Sequence, residues 1–253
     1  MIPVKLLELV DAMDGWLRTS EIPDYPGAHN GLQLANDGTV TRVAAAVDAS
    51  LPVIEAAVAA GADLLIVHHG MFWQGVQPLV AARYRKLKTA IAGNLAVYAS
   101  HIPLDVHPQL GNNVLLADAL GISAAEPFFV WKGIKLGVAG QVDSSFDELR
   151  AKLAAVVGGP VHGCPGGTRA AGRVGIITGG AGSEVEAVAA TGIDTFITGE
   201  GPHWSFPLAQ ECGINVLYAG HYATETFGVQ ALAREVEACF GVPWEFLDHP
   251  SGL

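Results

Sequence analysis

Apolar and polar positions follow two periods along this chain. Leu6, Leu7, Leu9, Val10, Met13 and Leu17 recur at helical spacing, which predicts an amphipathic helix over residues 4–17. A loop rich in Pro, Asp and Gly follows and carries His29-Asn30-Gly31-Leu32-Gln33; its amides and glycine read as turn chemistry, with pocket lining as the second reading. Residues 43–47 read as a strand, 52–60 as a helix stopped by Gly61, and 63–67 as the next strand, a βαβ unit whose crossover is right-handed. A helix over 80–92, a strand over 95–99 and a helix over 113–120 complete a first half. From Pro127 the pattern restarts: a strand over 134–139, a helix over 146–157, a glycine-rich loop over 158–172 and a strand over 174–178. Helical periodicity returns over 222–240.

The second half repeats the plan of the first. Pairing Glu55 with Glu186 also aligns Ala56, Ala59, Gly61, Asp63, Ile66 and Gly70 with Ala187, Ala190, Gly192, Asp194, Ile197 and Gly201. Further on, Tyr98-Ala99-Ser100-His101 falls on Tyr218-Ala219-Gly220-His221, and each copy places an acid four residues later, Asp105 and Glu225. This is the signature of an internal duplication. The fold expected is α/β: two similar three-layer α/β halves, residues 1–125 and 126–253, with the metal site in the cleft between them and the final segment packing with the first half.

The totals narrow the function classes. Half of the 253 residues are hydrophobic and 15% are charged, the balance of a globular chain with a full core. A net charge of −11 with 14 Lys and Arg leaves no basic face for general nucleic-acid or membrane binding. No apolar run is long enough to span a bilayer, and the acidic residues among residues 5–14 do not fit a signal peptide. Three widely spaced cysteines, Cys164, Cys212 and Cys239, point to reduced thiols in a cytoplasm. Cys164 lies near His162, but without a visible third partner it reads as structural.

The chemistry collects where strands end. The apolar run Leu64-Leu65-Ile66-Val67 leads into His68-His69-Gly70-Met71-Phe72-Trp73, at the carboxyl end of a strand where α/β sheets bind ligands. His101 with Asp105 and His221 with Glu225 occupy the corresponding exits. Imidazole and carboxylate together suit borderline divalent ions, Zn, Fe, Mn or Ni. Neighbouring side chains leaving a strand point to opposite sides, so His68 and His69 favour serving two ions over chelating one. His221 and Glu225, one helical turn apart, can face the same way, whereas Pro103 makes a regular helix between His101 and Asp105 doubtful. A carboxylate such as Glu225 can bridge two ions and hold a water between them, whose pKa would fall from about 15.7 toward 7.

Together, residues 67–73, His101-Ile102-Pro103-Leu104-Asp105, Leu110-Gly111-Asn112-Asn113, Thr198-Gly199-Glu200 and Gly220-His221 with Glu225 resemble the Nif-three-like dinuclear metal-centre family, whose members are described as GTP cyclohydrolase type-two homologues. The resemblance covers nearly the whole chain. It implies two divalent ions per subunit, held by His68, His69, Asp105, His221 and Glu225, with Glu225 bridging. It leaves His101 outside the ligand set, as a support behind the ligands or a proton-transfer group, so that the catalytic residues implied are His101 and Glu225. It also implies a ring-shaped homohexamer with its sites facing inward. The activity implied is a metal-dependent hydrolase: metal-bridged hydroxide attacks a nucleotide-like substrate, GTP with formate leaving in the cyclohydrolase case, or a phosphoester. The alternative is a non-catalytic metal-binding hexameric scaffold or a regulatory interaction protein.

Overall fold

The computed structural model of the protein describes residues 3–73, 75 and 77–252. In chain order its elements begin with β1 (Val4–Lys5), α1 (Leu6–Leu17), β2 (Gly31–Leu34), β3 (Thr39–Val40), β4 (Val43–Asp48), α2 (Leu51–Ala59), β5 (Leu64–His69), α3 (Ala81–Ala92) and β6 (Ala96–Ala99). They continue with the single turn α4 (Ile102–Asp105), α5 (Asn112–Leu120), β7 (Ser123–Trp131), β8 (Ile134–Ser145), α6 (Phe146–Val157), β9 (His162–Pro165) and β10 (Ala170–Ile176). A tight 3-10 turn then enters α7 (Val185–Ala189), followed by β11 (Thr195–Thr198), α8 (Ser205–Cys212), β12 (Asn215–Tyr218), α9 (His221–Thr224), α10 (Thr226–Phe240) and β13 (Trp244–Phe246).

The chain divides into two units, Met1–Leu104 with Gly228–His249, and Asp105–Phe227 with Pro250–Leu253. The sequence pattern places the division near residue 125. The difference is α5, whose Leu116, Ala117 and Leu120 are buried among Val174, Ile176 and Ile197 of the second sheet.

In the first unit the strand order is β13-β4-β5-β6-β2, parallel except for the antiparallel edge strand β2. Its strands are apolar at successive positions because both faces are covered. On one face Ala44, Leu65, Val67 and Val97 pack against Val53, Ile54 and Ala57 of α2 and Ala90 of α3. The other face meets α1, where the Tyr98 hydroxyl donates to Asp14 Oδ1 at 2.8 Å. Ser50 caps α2 by accepting from the Val53 amide, and Pro52 sits in the first turn, where no helical N–H is needed. Parallel strands bring their carboxyl ends to one edge, so the end of β5 and the turn after β6 emerge side by side.

The second unit orders its sheet β7-β8-β10-β11-β12-β9, with β10, β11 and β12 parallel and the remaining strands antiparallel. Both units thus hold a parallel run ending on an antiparallel edge strand, four strands with β2 on β6 in the first and three with β9 on β12 in the second. Helices α5 and α6 cover one face through Leu116, Leu149 and Leu153. Phe196, alternating with Ile197, is buried toward the opposite face together with Val188 and Ala209. Helix α6 is fixed at its start by a capping box, in which Ser145 and Glu148 exchange side-chain and backbone hydrogen bonds.

Strands also lie where the sequence pattern shows none: β1 at the start of the predicted first helix, β2 within the polar loop, β3, β7, β9 within the glycine-rich loop, and β13. The segment 102–105 forms a helical turn despite Pro103, because a proline in a first turn costs no hydrogen bond. Helix 222–240 is broken at Glu225, which sits at φ −108° between α9 and α10. Among the described residues no helix is long and apolar enough to cross a membrane.

Candidate metal centre

Strand β5 carries Leu64, Leu65, Ile66 and Val67 into the core and delivers His68 and His69 at its last two positions. Alternation along the strand predicts diverging imidazoles, but the strand stops there and the chain turns at Gly70. The two rings converge, with centroids 4.9 Å apart. His101, in the turn after β6, stands 4.9 Å from His68 and 5.7 Å from His69. One ring nitrogen from each of the three lies within 4.8 Å of the others, a spacing that can hold a metal ion. His101 thus stands beside His68 and His69 as a third imidazole of this unit.

Hydrogen bonding fixes how each ring is presented. His68 Nδ1 lies 2.9 Å from the Ser100 carbonyl oxygen, which can only accept, so Nδ1 carries the proton and Nε2 offers its lone pair. His69 Nδ1 donates to Asp48 Oδ1 at 2.9 Å, and His101 Nδ1 to Asp24 Oδ1 at 2.9 Å. Asp24 is buried, which would raise its pKa; the hydrogen bond and charge of His101, with Asn30 and the Tyr25 amide, outweigh burial and hold it below the ordinary carboxylate value. The polar loop 24–33 has a structural task here. Asn30 Oδ1 accepts from the His101 amide at 2.7 Å, and Gln33 Oε1 accepts from the Met71 amide at 2.7 Å. Gly70 is required beneath that bond, since a Cβ would collide with the Gln33 amide.

The second unit assembles its own donors. His221 opens α9, and Glu225 follows where that helix ends, so their side chains meet with Nε2 and Oε2 3.2 Å apart. Glu200, after β11, accepts from His221 Nδ1 at 2.8 Å. Burial opposes a charged His221, but hydrogen bonds and charges from Glu225 and Glu200 prevail and raise its pKa from 6.5 to about 9. Gly179, after β10, has φ +70°; a Cβ there would collide with Glu225 Oε1 and lie 3.3 Å from His221 Nε2. Glycine keeps the space in front of these donor atoms open. Asp105 is buried; Asn112 Nδ2 donates to its Oδ1 at 2.8 Å, and the Thr178 hydroxyl stands 3.4 Å from the same oxygen.

The donor chemistry in both units fits a divalent ion. Imidazole Nε2 atoms and carboxylate oxygens are the ligands borderline cations take, and an Nδ1–H held by a carboxylate or carbonyl is how metal-binding histidines are oriented. Burial pushes the Cys164 thiol pKa up, and its Sγ contacts the Phe206 carbonyl at 3.4 Å, so it is a packing residue. Sequence reasoning missed Asp24, Asp48 and Glu200 as supports of the rings. Glu200 carried a signal, since the internal alignment sets Gly199-Glu200 against His68-His69; Asp48 and Asp24 carried none, because Asp48 reaches His69 only through the sheet register and Asp24 reaches His101 only through the folding of the loop before β2.

Comparison with known proteins finds matches over nearly the whole chain. The model of the Duf34/NIF3 (NGG1p interacting factor 3) family matches residues 4–251. A Deinococcus radiodurans protein named GTP cyclohydrolase 1 type 2 homolog is 42% identical over 250 residues, covering 97% of this chain and 94% of its own length. Among solved structures, TTHA1606 from Thermus thermophilus superposes with a TM-score of 0.89 at 38% identity, covering 99% of this chain and all of the other. Protein ybgI, described as of unknown function, superposes with a TM-score of 0.92 at 35% identity over the same shares.

Proposed function

The chain belongs to the Duf34/NIF3 family, and from that premise we propose that it is a dinuclear, divalent-metal-dependent hydrolase. His68 and His69 of the first unit and Asp105, His221 and Glu225 of the second would hold the two ions, with Glu225 bridging and His101 adding a donor or moving a proton. The observation that carries this reading is the convergence of the rings: His68, His69 and His101 each set Nδ1 against an oxygen acceptor, and one ring nitrogen from each lies within 4.8 Å of the others. When bound, such ions supply Lewis acidity and bring the pKa of water from about 15.7 toward 7.

The protein's own groups do the rest. Asp48, Asp24 and Glu200 hold the imidazoles in one tautomer and orientation. Gly179 leaves room beside Glu225 and His221. The relatives' name supports a GTP cyclohydrolase-like reaction, in which water attacks the purine imidazole carbon and formate leaves. We propose the homohexamer expected of the family as the working assembly and the cytoplasm as its location.

Incubation of the metal-loaded protein with GTP, read as formate release, tests the reading. Turnover that vanishes in Glu225→Ala is expected. A metal-loaded wild type that releases neither formate nor phosphate from GTP or from model phosphoesters would contradict a hydrolase. That outcome would favour the non-catalytic scaffold, which the family description as an interacting factor supports.

A further inference from the structure

A cleft of about 500 Å³ opens in the second unit beside Glu200, on the far side of that carboxylate's bond to His221. This is within the size range of small-molecule sites, about 300–1,000 Å³. Its wall is aromatic: the His162 ring stands 5.6 Å from Phe206 and 6.2 Å from Tyr218, tilted 40° and 32° to them. Gly201 keeps the floor open, since a Cβ there would lie 2.8 Å from Ser205 Oγ and 2.9 Å from Tyr218 Cε1.

The polar groups beside that wall can be assigned by counting protons. Ser205 Oγ donates its single proton to the Pro202 carbonyl at 2.7 Å, so the 2.7 Å contact with Tyr218 is a bond from the tyrosine hydroxyl to Ser205. Burial raises the pKa of Tyr218 and keeps the phenol protonated. With its proton spent, the tyrosine oxygen can only accept from a ligand. Glu200, a carboxylate, can also only accept. An aromatic wall beside two acceptors suits a planar ligand whose edge donates.

Resting on the hydrolase reading above, we infer that this cleft is the ring-binding subsite of the same centre, and that it takes a planar nitrogen heterocycle offering N–H donors along one edge. The His162 side chain is exposed on an edge strand, where a small polar residue would serve the sheet equally. Glu200 links the two parts: it accepts from a metal-donor histidine and lines the cleft, so a ring held here would stand next to the ions.

Calorimetric titration of the full-length, metal-loaded protein with guanosine, whose N1–H and amino group form a donor edge, and with 1-methylguanosine, which lacks the N1 donor, tests this. Guanosine is expected to saturate at one per chain and 1-methylguanosine to bind more weakly. His162→Ala and Phe206→Leu should each weaken guanosine at least about fivefold, the loss expected for one stacking partner, with their ion content unchanged. No guanosine binding, or equal binding by the wild type and both variants, would overturn the subsite. Ion content of the same samples separates the two readings: an ion-free wild type would sink the hydrolase reading, whatever guanosine does.

Discussion

Each imidazole of the two donor sets is held by an oxygen at Nδ1, which separates the ligand from its support and makes the supports testable alone. Asp48→Asn keeps the size of the side chain but weakens the charge-assisted bond to His69. Affinity for Zn or Mn, measured against a competing chelator, should fall by about 10–100-fold, the usual loss when such a support is removed. Unchanged affinity would mean that Asp48 is only a neighbour. His221 gives a pH prediction of definite sign. Its folded pKa of about 9 lies above the ordinary 6.5, so in chelator-treated protein its pairing with Glu225 and Glu200 stabilises fully below pH 6.5 and is lost as pH rises through 9. The unfolding midpoint of the metal-free protein should decline over that window, and the decline should shrink in Glu200→Gln. A metal at Nε2 must displace a proton, so metal affinity should rise with pH across the same range.

At the scale of elements, the turns after parallel strands place the chemistry, and glycine decides whether they can. Gly179→Ala forces a Cβ into a left-handed backbone, costing about 1–2 kcal/mol, and into Glu225. Both the denaturation midpoint and the metal affinity should drop. By contrast, Ser145→Ala removes the cap of α6, far in sequence from every donor, and should cost about 1 kcal/mol in urea unfolding without altering metal affinity. The central elements were legible in the sequence because each carries its own signal. Residues 64–67 are a buried apolar run, and 146–157 is a capped amphipathic helix. The missing strands carry no such signal. Residues 162–165, His-Gly-Cys-Pro, pair only because β12 presents an open edge, and 31–34 pair because β6 does. Tertiary context made those strands, and local propensity could not announce them. The same limit hid Asp24 and Asp48, while His68, His69, His101, Asp105, His221 and Glu225 were visible because a strand or a repeated acid pointed to each.

For the whole molecule, an internal duplication gives two units of one plan whose donor residues differ. Both units keep an equivalent parallel trio, β4-β5-β6 and β10-β11-β12, beside an antiparallel edge strand, but the first has a histidine pair at the end of its middle strand where the second has Gly199-Glu200. Of the proposed ligands, the first copy therefore brings two imidazoles and a carboxylate, His68, His69 and Asp105, and the second one of each, His221 and Glu225. Light scattering should find six chain masses for the assembled protein; a monomer that still binds metal and turns over GTP would remove the hexamer from the account. The most direct test of the central claim is elemental analysis of purified wild type, His69→Ala and Glu225→Ala after reconstitution. The account predicts about two divalent ions per wild-type chain and fewer in each variant. Wild type that holds none after exposure to Zn, Mn, Fe and Ni would contradict it.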